Sequence, residues 1–114
     1  MTVKCYSLYV GTRNHQEGID AVDDERIAAT TSAVFESFTV LHGYGWFRGQ
    51  REDVRMIKIA TDDEERVSTL AENLRQLMEQ DGVGLECDGL YRRITTQHQG
   101  RPPEPETPSG QAVP

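Results

Sequence analysis

Between Thr39 and Asp53 the chain gathers Tyr44, its one tryptophan (Trp46), His42, three of its ten glycines, Arg48, Arg51 and the carboxylates Glu52 and Asp53. Aromatic rings stack on flat ligands, and guanidinium forks grip oxyanions in two places at once. The chemistry these residues suit is the binding of a nucleotide or related planar anion. Tyr44 and Trp46 would stack, Arg48 and Arg51 would hold the anion, and Glu52 would orient an arginine. Gly43 and Gly45 interrupt the aromatics, and glycine within a strand marks a bulge or a close approach by another group. The same residues also fit a plainer arrangement. Tyr44 and Trp46 then anchor an interface between copies, and Arg48 to Arg55 form a solvated hairpin tip whose ion pairs contribute about 0–1 kcal/mol each.

Other reactive side chains are scattered. His42 is the one histidine within a patterned segment and is the candidate base if the protein is an enzyme. His15 falls in a loop and His98 in the tail, so no three-histidine metal site is expected. Cys5 and Cys87 stand apart, without metal-ligand spacing. Two acidic clusters, Asp20 to Glu25 and Asp62 to Glu65, sit where helices begin and read as caps. Phosphate-loop, dinucleotide, zinc-protease and nucleophile-elbow motifs do not occur. No catalytic residue, metal or cofactor is assigned on this basis.

The elements that position these groups follow from hydrophobic period. Val3–Gly11 alternates as a strand with Tyr6, Leu8 and Val10 on its core face. A polar loop, 12–20, leads to a helix over about residues 23–37, started by Asp23 or Asp24. Phe38–Phe47 is a strand, Arg48–Glu52 a turn around Gly49, and Val54–Ala60 the returning strand. Asp62 or Asp63 opens the next helix, and Asp62 with Glu65 fits a capping box. The stripe Val67, Leu70, Ala71, Leu74, Leu77, Met78 then marks the clearest helix, ended by Asp81-Gly82. Val83–Cys87 is a short strand. Asp88-Gly89 signals a tight turn, after which Leu90–Ile94 can fold back.

That order, β-α-β-β-α-β, predicts an α+β ferredoxin-like sandwich, a four-stranded antiparallel sheet with two helices on one face. The other face would carry Val40, His42, Tyr44 and Trp46 or their alternates, too apolar to stand bare. A homo-oligomer, dimer or trimer, is therefore expected.

The patterned segment covers residues 1–95. Residues 96–114 hold all five prolines and no aromatic residue, a composition expected of a disordered Pro-rich tail. The formal charge of −7 opposes broad contact with nucleic acid or anionic membrane. No apolar run approaches the ~20 residues of a membrane span, and no secretory signal is visible after Met1. A cytoplasmic location with reduced thiols is expected.

Through Leu8-Tyr9-Val10-Gly11, Phe38-Thr39-Val40 with Gly43-Tyr44-Gly45-Trp46, and Arg51-Glu52, the chain resembles small bacterial and phage proteins of ferredoxin-like fold. This likeness covers about residues 3–94. The arrangement is also similar to PII-like signalling proteins. That resemblance implies trimers that bind nucleotides in clefts between subunits, near the loop joining the second and third strands. Arg48–Asp53 is the matching loop, and it is shorter here. The leading expectation is an oligomeric binder of a nucleotide or planar anion that senses or sequesters it without catalysis. The alternatives are a protein-interaction module acting through the acidic surface and the tail, and a small ferredoxin-like enzyme using His42.

Overall fold

The computed structural model describes residues 2–12 and 18–95. The expected tail, 96–114, and most of the polar loop lie outside the described residues. Seven elements follow one another: β1 (Lys4–Val10), α1 (Ala21–Ser32), β2 (Thr39–Phe47), β3 (Gln50–Thr61), α2 (Glu64–Leu77), β4 (Gly82–Cys87) and β5 (Leu90–Thr95). They form one sheet in the order β2-β3-β1-β4-β5, with every pair of neighbours antiparallel. The α+β class is as expected, but the four-stranded ferredoxin-like sheet is not. Asp88 and Gly89 both take positive φ (55° and 80°), the geometry of a two-residue hairpin turn. That turn folds Leu90–Thr95 back on β4 as a fifth, edge strand.

One face of the sheet is covered. Tyr6, Leu8 and Val10 pair with Ile59, Ile57 and Arg55 across β1 and β3, and Leu8 pairs with Leu85 of β4. Strand alternation places these side chains on the same side. Ile27 from α1 and Val67, Leu70, Ala71, Leu74 and Met78 from α2 pack on them in one buried cluster. The α2 stripe read from the sequence is this contact. Its cap is Asp63, the second of the two expected candidates, whose carboxylate accepts from Arg66 N at 3.1 Å in place of the Asp62–Glu65 box.

α1 starts earlier than its hydrophobic period suggested. Asp20 is the cap: its Oδ1 accepts from Asp23 N at 2.8 Å, while Asp20 N donates to Asp23 Oδ2 at 3.2 Å. This reciprocal pair satisfies two otherwise orphaned amides. Asp24 is thereby freed for a longer-range role. Its carboxylate accepts from Arg55 Nε at 2.7 Å and Nη2 at 3.2 Å, and Arg55 Nη2 also reaches Ile19 O at 3.2 Å. Asp53, two residues away on the same face of β3, accepts from Ile19 N at 2.9 Å. Arg55 is only 6% exposed, so its charge depends on these partners.

The hairpin differs from expectation in length. The turn is Arg48-Gly49 alone, both at positive φ (53° and 80°), not the five residues 48–52. β3 consequently begins at Gln50, and β2 and β3 stay paired from Phe47↔Gln50 to Thr39↔Lys58. β1 pairs with β3 only as far as Val10↔Arg55. Beyond that point β2 and β3 continue alone as a two-stranded arm.

The Arg55 guanidinium holds the Asp24 carboxyl below the usual carboxylate range, against the opposite pull of burial. A carboxyl with a depressed folded-state pKa contributes stability that is present above the ordinary pKa and lost as pH falls through the folded one. Asp24→Ala should cost about 2 kcal/mol at neutral pH in urea unfolding, less than for a fully buried pair, because the Asp24 side chain remains 31% exposed. The gap between variant and parent should close as the pH is lowered through the acid range; a gap independent of pH would refute this account of Asp24.

On the uncovered face, side chains of β5 lie over glycines of β4. A Cβ on Gly84 would stand 2.5 Å from Tyr91 Oη and 2.7 Å from its Cε1. Gly84→Ala should therefore displace the Tyr91 ring, altering the near-ultraviolet dichroism of the tyrosines while the far-ultraviolet spectrum stays unchanged.

Candidate functional site

The five residues singled out by sequence are all on the arm, but they divide between its two faces. Register places Tyr44 opposite Asp53 and Trp46 opposite Arg51, on the side of the sheet that the helices cover. The arm extends past the helices, so Tyr44 and Trp46 remain 61% and 69% exposed. Arg51 lies over the Tyr44 ring, 4.4 Å from its centre. This diagonal cross-strand contact contributes about 0.5–1 kcal/mol at an exposed site. Glu52 alternates to the opposite face, across from Gly45. Arg48 occupies the turn and stacks on Phe47, 5.0 Å from the ring centre. Tyr44, Trp46 and Arg51 are thus brought together, while Arg48 and Glu52 are not part of the same cluster.

His42 shares the helix-side face with Arg55. Its Nε2 stands 4.0 Å from Asp24 Oδ1, and the side chain is largely exposed. It belongs to the Asp24–Arg55 clasp at the base of the arm, beside Asp53.

The concave feature lies on the uncovered face. Leu41, Gly43, Gly45, Val54, Met56, Tyr9 and Tyr91, with His42 and Tyr44, line a hollow of ≈ 330 Å³. Its floor is set by strand alternation. Leu41 pairs with Met56 and Gly43 with Val54, and Tyr9 pairs with Met56 on one side and Gly84 on the other. A Cβ at Gly43 would meet nothing within 4 Å, so this glycine leaves the floor open. Tyr9 and Tyr91 form the aromatic wall, with ring centres 6.1 Å apart and planes tilted by 54°.

Beyond Tyr9, polar groups stand next to the hollow on β1, β3 and β4, outside the residues that line it. Tyr9 Oη donates to Glu86 Oε1 at 2.5 Å. That hydrogen bond, reinforced by burial and by the Glu86 charge, pushes the Tyr9 hydroxyl up to about 12, so it remains a proton donor at neutral pH. Lys58 Nζ donates to Ser7 Oγ at 3.1 Å, and Ser7 stands between Lys58 and Glu86 in the cross-strand row. An apolar, aromatic-lined hollow of this size with a few placed polar groups is the usual form of a small-molecule site.

Sequence reasoning missed Tyr9, Met56, Tyr91 and Glu86. Their signal was present only as alternation: Tyr9 falls on the strand face opposite Tyr6 and Leu8, and Glu86 falls between Leu85 and Cys87. Nothing local in the sequence shows that β1 and β4 are neighbours, which is what joins the two residues. Among the described residues, no helix is long and apolar enough to cross a membrane.

No family model matches the chain, and no curated protein matches its sequence. Two solved structures share its fold. One is a phage SAM lyase in its apo state, 19% identical, covering 83% of this chain and 90% of that one with a TM-score of 0.54. The other is a phage SAM lyase in complex with S-methyl-5′-thioadenosine, 20% identical, covering 82% and 90% of the two chains with a TM-score of 0.50. The expectation of a ligand binder that senses or sequesters without catalysis is corrected by this finding, because both neighbours are an enzyme. What the chain shares with these two structures is the backbone arrangement.

Proposed function

We propose that this protein is an enzyme of the SAM-lyase type and that the hollow on the uncovered face receives the adenosyl thioether part of its substrate. The observation that carries this reading is the coincidence of a shared fold with a hollow whose lining suits that ligand. One of the solved neighbours holds S-methyl-5′-thioadenosine. Tyr9 and Tyr91 offer ring faces for a planar base or a sulfonium, and Leu41, Val54 and Met56 offer apolar surface for a methylthio group. The net charge of −7 favours a cationic substrate over the planar anion first expected.

The reaction needs no oxidant and no water. The bond between the sulfonium sulfur and the four-carbon amino-acid arm breaks, and its electron pair passes to sulfur, leaving a neutral thioether. The arm either gives up a proton from the carbon next to the cleaved one to a carboxylate or to solvent and becomes an alkene, or closes on its own carboxylate to form a lactone. In the second course a carboxylate and a sulfonium neutralise one another, and opposite charges attract more strongly where water is excluded. The apolar lining contributes that exclusion and holds the arm in a folded, reactive geometry. The side chains of Tyr44, Trp46 and Arg51 are directed to the other face of the β2–β3 arm. They fit an interface between copies in a homo-oligomer, as does the exposed Phe47.

Incubation of the purified chain with SAM should yield S-methyl-5′-thioadenosine, followed by chromatography and mass spectrometry. Met56→Trp, which fills the hollow, should lower that turnover by roughly tenfold or more with an unchanged far-ultraviolet spectrum. Absence of the thioadenosine at high protein concentration and long times would exclude the reading. Undiminished turnover by Met56→Trp would move the site away from the hollow.

A further inference from the structure

We propose that Glu86, aimed by Tyr9, is a cation subsite at the β4 side of the hollow and takes the positively charged part of an adenosyl ligand, its sulfonium or its ammonium. This inference rests on the SAM reading and adds to it the group that separates charged substrate from neutral product.

Tyr9 is the residue common to the hollow and to Glu86. Its ring lines the cavity, and its hydroxyl holds Glu86 Oε1 at 2.5 Å. One hydrogen bond to one oxygen leaves most of the acceptor capacity of the carboxylate unused. Among the described residues, no lysine or arginine nitrogen lies within 4 Å of it. The nearest cation in its cross-strand row, Lys58, is turned to Ser7 instead. Glu86 is half-buried, so its charge is less screened than one on open surface. The tilted rings of Tyr9 and Tyr91 stand beside it, and their electron-rich faces attract the same sign of charge. Carboxylate and ring faces thus act on a cation together.

The location suits the reaction. The substrate carries two positive groups, on sulfur and on the amino-acid arm, and the thioadenosine product carries neither. A subsite that recognises positive charge grips the substrate and releases the product. Glu86 is a binding residue in this scheme, and Tyr9 is the positioning residue that fixes it.

The test is calorimetric titration of the full chain with four compounds. These are SAM, S-adenosylhomocysteine (ammonium without sulfonium), the dimethylsulfonium analogue of 5′-thioadenosine (sulfonium without ammonium) and S-methyl-5′-thioadenosine (neither). Glu86→Gln should weaken SAM by about tenfold or more and leave the methylthioadenosine affinity within about twofold of the parent. Loss confined to S-adenosylhomocysteine identifies the ammonium as the group held; loss confined to the dimethylsulfonium analogue identifies the sulfonium. Tyr9→Phe keeps the ring and releases the carboxylate, and should weaken the charged compounds several-fold while sparing the neutral one. It carries the test if Glu86→Gln does not fold. Equal effects on all four compounds, or no effect on any, would overturn the cation subsite while leaving the hollow as the binding site. Failure of the parent protein to bind any of the four would overturn both.

Discussion

Arg55 is the residue on which the geometry of the arm depends. A guanidinium cannot shed its proton, so a buried one must be met by a carboxylate or carbonyl, or the fold does not hold it. Here Asp24 and the Ile19 carbonyl meet it. Because Asp24 is in the first turn of α1 and Arg55 is the last β3 residue paired with β1, one contact sets three things. It fixes where the helix enters, where the three-stranded part of the sheet stops, and the angle at which β2 and β3 leave it. Asp53 repeats the constraint by taking the Ile19 amide. The hollow lies on the reverse of this clasp, and two residues of its floor, Gly43 and Val54, are the first pair of the freed arm.

The two faces of the sheet divide the labour. The helix side spends nearly all its apolar surface on one core, with Leu8, Ile57, Leu70 and Leu74 fully inside. The uncovered side has small residues where that core has large ones: Ser7, Gly43, Gly45, Gly82 and Gly84. Alternation of bulky and small residues along the same strands therefore builds a packed interior and a recess from the same backbone. The polar groups beside the recess, Glu86 with Tyr9 and Lys58 with Ser7, are joined across strands and belong to no single sequence motif.

Much of the fold was legible. The stripe from Val67 to Met78 and the alternation of Tyr6, Leu8 and Val10 are signals of burial, and burial is what they do. The differences arose where a local preference met a longer-range contact. Asp20 captured the helix start by bonding Asp23, because Asp24 is engaged by a strand distant in sequence. Arg48 accepted a left-handed conformation that its residue type does not advertise, which shortened the turn and lengthened β3. The site was half legible. The arm stood out through Tyr44 and Trp46, but aromatic density marks exposed side chains as readily as a recess. Tyr9, Met56, Tyr91 and Glu86 come from four strands, and only the pairing of β1 with both β3 and β4 assembles them.

That central place of β1 has a consequence for how the molecule is made. The first of the described strands in the chain is the central one of the five, paired on one side with β3, Lys4 opposite Thr61, and on the other with β4, Tyr6 opposite Cys87. During translation β1 has no partner until β3 has left the ribosome, and its second edge stays open until β4 follows. Loop closure must be met before such distant pairings stabilise anything. The β2–β3 hairpin, closed by a two-residue turn, is the first sheet structure the nascent chain can form alone. The growing chain thus can build the arm before the sheet that anchors it, and until then β1 stands with unpaired edges of the kind that favour aggregation.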